Sequence, residues 1–349
     1  MTALGHPVVY GVLLILAAGG IAFVLTWALR YYALSKGILD RPNHRSSHTI
    51  ATPRGGGIAI VLAYLLALFS NYIVDSTTTA FLFACTVGGG LVAVMGFLDD
   101  HGHIPARWRL LGHFSAAGWI LFLLGGLPPL KVFGSIWDLG WTGYVIGSLF
   151  LVWLLNLYNF MDGIDGIASV EAISVCTASA LLAFVSFGIW SPVSFLPLIL
   201  AAAVAGFLVW NFPPAKIFMG DAGSGFLGLM LGALTVYSAF ADPQLFWSWL
   251  ILLGVFVVDS TFTLLRRVLN GEKVYEAHRN HAYQHATRLY GSHLPVTLAV
   301  LAINVGWLTP WAFAAGLGLV DGVLGCFLSY LPLLYLAIRY KAGGQDSTA

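Results

Sequence analysis

Apolar residues run along this chain in stretches of about twenty, the length a helix needs to cross the hydrocarbon core of a bilayer. They fall at residues 8–30, 56–74, 79–98, 110–127, 141–158, 167–188, 192–211, 217–240, 244–265, 295–314 and 318–338. The pattern predicts an all-α, polytopic integral membrane protein with about eleven transmembrane helices. A transmembrane barrel would show short alternating segments instead. The short links near 187–192 and 240–244 leave room for a re-entrant turn. The longest polar segments are 31–54 and 266–294, and no fixed-period repeat or soluble domain interrupts the series.

Composition agrees: 59% of residues are hydrophobic and 9% charged, and the mean hydropathy is +0.86. Soluble domains carry about a quarter charged residues, and disordered chains are charged and apolar-poor, so both classes are excluded. A net charge of +1 leaves no global basic field, so no nucleic acid partner is expected. Cys85, Cys176 and Cys326 each lie inside an apolar run without metal-binding spacing and read as buried apolar residues. The first run, Val8 to Leu29, is too long for a signal-peptide core and its basic flank follows it, so it reads as a retained first helix.

With eleven alternating helices, loops 31–54, 99–109, 159–167, 212–217 and 266–294 and the C-terminal tail share one side. Counting Arg30 with them, that side holds all of the 16 Lys and Arg residues except Lys131. The asymmetry makes it cytoplasmic, with the N-terminus outside and the C-terminus inside. Residues 1–349 then form one transmembrane domain whose cytoplasmic loops make its functional face. Asp99, Asp100, Asp162, Asp165, Asp221 and Asp259 all fall at or near that face. A transporter or flippase would be expected to keep carboxylates near the bilayer midplane. Carboxylates at one membrane surface suit chemistry between a cytosolic substrate and a lipid headgroup.

Five segments carry candidate chemistry. In "MGFLDDHGH", adjacent Asp99 and Asp100 repel unless a cation is near; they fit either a hard-metal or phosphate site or a solvated loop start. In "NLYNFMDGIDGIAS", Asn156, Asn159, Asp162 and Asp165 recur at helical spacing, and two Asp-Gly steps suggest a turn close to a ligand. Capping explains some of these residues, but four without a balancing Lys or Arg exceed what caps require. In "KIFMGDAGSGFLG", Asp221 stands among glycines that suit either phosphate binding at a helix start or close helix packing. In "EAHRNHAYQHATR", His278, His281 and His285 share one face if the segment is helical, beside Arg279 and Arg288. Phosphate binding fits this loop better than zinc, because HExxH and Cys are missing; a solvated basic loop also fits. The first loop supplies Arg54 before three glycines, and "ARWRLLGH" places Arg107 and Arg109 at a helix entry suited to a lipid phosphate.

Together these segments resemble one family, the polyprenyl-phosphate N-acetylhexosamine-1-phosphate transferases of glycosyltransferase family 4, which include the phospho-MurNAc-pentapeptide translocase. The resemblance runs from Asp40 to Arg288 in the family's order, through "LDD", "NFMDGIDG", "FMGDAGS" and the His-rich loop. "HRNHAYQH" looks most like the O-antigen-initiating branch. The resemblance implies Mg²⁺-dependent transfer of N-acetylhexosamine-1-phosphate from a UDP-sugar to undecaprenyl phosphate, with release of UMP. Mn²⁺ is a possible substitute. It also implies a bacterial inner membrane protein among membrane lipids, and a homodimer stays open. By motif, Asp99 and Asp100 are the catalytic pair, with Asp99 as the base toward the lipid phosphate. Asp221, with Asp100, is the metal position. Asn159, Asp162, Asp165, His278, Arg279, His281 and Arg54 are substrate-binding, and Arg107 and Arg109 bind the lipid phosphate. Two departures stand out: "HGH" follows the acidic pair, so His103 cannot act as a third carboxylate, and the His loop has no consecutive histidines. A CDP-alcohol phosphotransferase is disfavoured because "DGIDGIAS" lacks the Arg of DGxxAR.

Overall fold

The computed structural model describes residues 7–42, 50–74, 78–102, 104–187, 191–272 and 279–344. Each of the eleven apolar stretches is built mainly as helix. The first three stretches form α1 (Pro7–Lys36), α2 (Ile58–Val74), and α3 (Thr79–Ala84) running through a π-helical turn, Cys85–Gly89, into α4 (Gly90–His101). Then come α5 (Ala106–Leu124), α6 (Thr142–Met161), α7 (Ile167–Phe187), α8 (Pro192–Asn211) and α9 (Asp221–Ala241). The ninth stretch is split into α10 (Pro243–Leu252) and α11 (Gly254–Leu269), bent by 70°. A short α12 (Ala282–Tyr290) precedes α13 (His293–Ile303), which runs through a second π turn, Asn304–Leu308, into α14 (Thr309–Gly316), and α15 (Gly322–Arg339) follows. Among the described residues, eight helices are long and apolar enough to cross a membrane, and the bent pair makes a ninth. α2, at 17 residues, is apolar but shorter.

The break in the ninth stretch lies at Leu253, not at the 240–244 link. That link is an ordinary cap: the Asp242 carboxylate accepts from the Gln244 amide at 2.9 Å, and Pro243 opens α10. Several segments read as loop are helical, namely 31–36, 99–101, 106–109, 159–161, 266–269 and 282–290. Arg107 and Arg109 therefore ride on the first turn of α5.

α9 is the axis of the bundle, packed against α4, α6 and α10. Lipid offers no hydrophobic drive for helices to associate, so close backbone approach through small residues does the work. A Cβ at Gly228 would lie 2.6 Å from the Leu154 carbonyl oxygen of α6, and one at Gly96 would lie 2.4 Å from the Ala222 nitrogen. The first loop is sewn to the segment before α9. A two-residue strand β1 (Leu39–Asp40) pairs antiparallel with β2 (Thr52–Pro53). The Phe218 amide then donates to Pro53, and the Gly56 and Gly57 amides donate to Phe218 and Met219 at 2.9 Å each. At the other end of α5 and α6, a hairpin of β3 (Leu130–Val132) and β4 (Ser135–Trp137) is tied down by Trp247, which donates to the Lys131 carbonyl.

Candidate active site

The α4–α9 contact sets the site. Because Gly96 lets α4 lie against the first turn of α9, the last turn of α4 delivers Asp99 and Asp100 beside Asp221, the first residue of α9. The Asp221 amide donates to the Asp100 carboxylate at 3.2 Å. Gly220 precedes it at φ +78°, a conformation that favours glycine, and a Cβ there would stand 2.5 Å from Asp100 Oδ2. Small residues here are requirements of both space and backbone.

Two arginines separate the acids. Arg54, delivered by the sewn first loop, places one guanidinium nitrogen 2.8 Å from both Asp100 Oδ1 and Asp221 Oδ1. Arg109 lies 2.6 Å from Asp99 Oδ2, and the Ile104 amide donates to the other oxygen. Adjacent carboxylates so close to an apolar phase would repel, and each has its own cation. Burial works against the Arg54 charge, but Asp221, Asp100, Asp40 and Asp162 outweigh it and hold the group above its ordinary value. Asp100 is 4% exposed and Asp221 27% exposed, so Asp221 is the more accessible member. Asp100 Oδ2 is buried without a hydrogen-bond partner.

Asn159 ends the polar face of α6 and donates to Ser224 of α9 at 2.9 Å. Asp162 sits just past the helix end, and burial together with the Asp221 charge pushes its carboxyl well above the usual range. Asp165 points elsewhere. Its carboxylate accepts from the Ala215 amide at 2.9 Å and faces His293 at 3.2 Å, pinning one loop to α13. The Asp-Gly turn reading holds for Gly166, at φ +75°. His281 is the residue before α12, not part of it, so of the three histidines the described helix contains only His285; His278 lies outside the described residues. Arg279 also precedes the helix, its carbonyl accepting from Arg288.

A cavity of about 750 Å³ lies between α4, α5, α6 and α9; Arg54, Asp100, Asp162, Asp165 and Arg279 do not line it. Asp99, Arg109, Asn159, Asp221 and His281 form its polar part, while Val152, Trp153, Leu149, Leu110 and Phe114 form an apolar wall. Leu149 and Leu110 are exposed on the bundle's lipid-type surface. Arg107 is not brought to it, lying exposed with its guanidinium 5.8 Å from the Trp108 ring centroid. Asn156, of the same polar run as Asn159, also lines the cavity, as does His113, which the sequence motifs did not single out. His113 was legible as the residue four positions after Arg109, on the same helical face. Among the described residues, no three His, Cys, Asp or Glu side chains converge as a ready-made metal cage.

The family model for glycosyl transferase family 4 matches residues 82–239, a span that runs from α3 through α4 and into the last turn of α9. A probable undecaprenyl-phosphate N-acetylglucosaminyl 1-phosphate transferase of Bacillus subtilis is 30% identical over 80% of this chain and 78% of its own. A decaprenyl-phosphate N-acetylglucosaminephosphotransferase of Mycolicibacterium smegmatis is 29% identical over 90% and 83%. A phospho-N-acetylmuramoyl-pentapeptide-transferase of Streptococcus pneumoniae is 29% identical over 64% and 71%.

Proposed function

The chain belongs to glycosyl transferase family 4, and on that premise we propose that it transfers N-acetylhexosamine-1-phosphate from a UDP-sugar to undecaprenyl phosphate. UMP leaves, and the product is the first lipid-linked intermediate of a cell-surface polysaccharide. The observation that carries this reading is the two-natured cavity: Asp99, Asp221 and Arg109 at one end, backed by Arg54 and Asp100, and an apolar wall reaching the lipid-facing surface at the other. An acceptor with a charged head and a polyprenyl tail has the matching shape. A transporter needs no such fixed cluster at one end of its helices.

Mg²⁺ is the cofactor in this proposal. The residues fit it: Asp100 has a buried, unpartnered oxygen and Asp221 a part-exposed carboxylate, and Mg²⁺ is commonly held by one or two carboxylates plus substrate phosphate oxygens. When bound, the ion neutralises diphosphate charge and makes phosphorus more electrophilic. The chain's own groups do the rest. Asp99 faces the acceptor phosphate and takes its last proton, while Arg109 steers that phosphate toward the acid. Asn159 and Asp162 serve the nucleotide side, and Arg279 and His281 the donor's diphosphate.

The experiment is UMP release by the purified protein with undecaprenyl phosphate and a panel of UDP-N-acetylhexosamines, before and after chelation. Activity lost to EDTA and restored by Mg²⁺ supports the reading. No UMP with any donor overturns it.

Arg109 and Arg107 should separate cleanly. Arg109→Ala is expected to raise KM for undecaprenyl phosphate about tenfold or more, the scale of a charge-assisted hydrogen bond. Arg107→Ala, on an exposed Trp108 face, should stay within about twofold. Equal effects would remove Arg109 from the acceptor site.

The same proposal places the site on the cytoplasmic side of the inner membrane, through eleven crossings with the N-terminus outside. Support comes from the basic asymmetry and from the acids and Arg54 gathered at one end of α4, α6 and α9. A cysteine replacing Asn270 in a Cys-free background should react with impermeant thiol reagents only after the membrane is opened. One replacing Asp138 should react without opening it. Labelling at 270 from outside overturns the arrangement.

A further inference from the structure

One buried acid beside the site has no part in the reaction described above. Asp259 lies in the second turn of α11, just past the 70° bend, and is buried. One carboxylate oxygen accepts from the Ala282 amide at 2.9 Å and from the Thr263 hydroxyl at 3.1 Å, and lies 3.3 Å from His281 Nδ1. The other accepts from the Tyr283 amide at 3.0 Å. A single carboxylate thus gathers the first two amides of α12 and the imidazole immediately before it. Negative charge at a helix N-terminus is favourable in itself, but a cap alone would not require the imidazole contact.

His281 is held from three directions. Its ring stacks near Phe160 of α6, with centroids 6.4 Å apart, and near Tyr283 at 5.8 Å. Tyr283 in turn donates from its hydroxyl to the Phe160 carbonyl at 3.0 Å. That hydroxyl lies where a Cβ on Gly163 would be, beside Asp162. An ionised carboxylate can only accept, so the contact with Asp259 favours the tautomer protonated at Nδ1. His281 lines the same cavity as Asp99 and Asp221.

We propose that Asp259 is a positioning residue: by bonding Nδ1 of His281 and the first amides of α12 together, it sets the orientation and tautomer of the imidazole toward the donor's diphosphate. The inference rests on the transfer reaction proposed above. It assigns Asp259 no contact with substrate, only control of a side chain that has one.

The test is a double-mutant cycle on the full-length protein, reading kcat and KM for UDP-sugar and lipid separately. Asp259→Asn puts an amide donor against a site that needs only acceptors. It should lower kcat about 10- to 100-fold, as loss of a histidine's orienting partner does elsewhere, with KM for undecaprenyl phosphate unchanged. Asp259→Glu, which keeps the charge, should recover part of the loss. In a His281→Ala background, Asp259→Asn should add less than about twofold, because the group it positions is gone. Should Asp259→Asn not accumulate as folded protein, Asp259→Glu runs the same cycle. A loss that multiplies fully onto His281→Ala overturns the inference and leaves the transfer reading standing. So does wild-type kcat for His281→Ala. A wild-type protein that releases no UMP overturns the transfer reading and carries this inference with it.

Discussion

Asp221→Asn is expected to abolish UMP release, with a loss of at least about 10²-fold, the scale on which electrostatic stabilisers of a reaction centre fail. The position is specific. Asp221 opens α9, bonds Arg54 at 2.8 Å, and keeps 27% of its side chain exposed where Asp100 keeps 4%. It is therefore the more open of the two carboxylates to a phosphate-bound cation. The asparagine is nearly isosteric, and the contacts that seat α9 are made by Gly223, Gly225 and Gly228 rather than by this side chain. The variant should insert and elute as wild type does. Transfer within about tenfold of wild type at saturating Mg²⁺ would remove Asp221 from the metal position.

Gly96→Val should be as damaging from outside the cavity chemistry. A Cβ at Gly96 would sit 2.4 Å from the Ala222 nitrogen and 2.5 Å from the Asp221 carbonyl carbon. Both are backbone atoms, so no rotamer change relieves the clash, and α4 must move away from α9. The displacement falls where Asp100 meets the Asp221 amide and Arg54. Misplacement by about 1 Å can cost on the order of 10²-fold in rate, and overpacking adds about 1–3 kcal/mol of destabilisation. Gly90→Ala on the same helix, with nothing within 4 Å of its Cβ, is the control and should behave as wild type. Gly96→Val with more than half the wild-type rate would show that the close approach does not set the site.

The helical stretches were legible because apolar length dominates in a membrane chain, where every backbone group must be satisfied within its own segment. Asp99, Asp100, Asn159 and Asp221 were legible for the complementary reason: polar groups are rare at such positions, so each one asks for a partner. What stayed hidden was pairing over long sequence separation. Asp165 looked like a member of the Asn159–Asp162 cluster, yet its partners are Ala215 and His293, on segments that only the folded chain brings near. The bend at Leu253 was hidden because α10 and the start of α11 are both apolar, and hydropathy carries no angle. The same holds for His281, where helical spacing suggested a shared face and the chain stops one residue short of helix.

The burial of α9 has a consequence for how the protein meets different membranes. Within its apolar window 83% of residues are buried, against 22% in α1 and in α15. A bilayer thicker or thinner than the protein's hydrophobic belt exerts its force on the helices it touches, which answer by tilting or by local adjustment of the lipid. Those are the outer helices here. The helix that carries Asp221 at its head is sheathed by α4, α6 and α10. Elastic strain from acyl chains of changing length therefore falls on the outer helices, and α9, which carries Asp221, is shielded from direct contact with it.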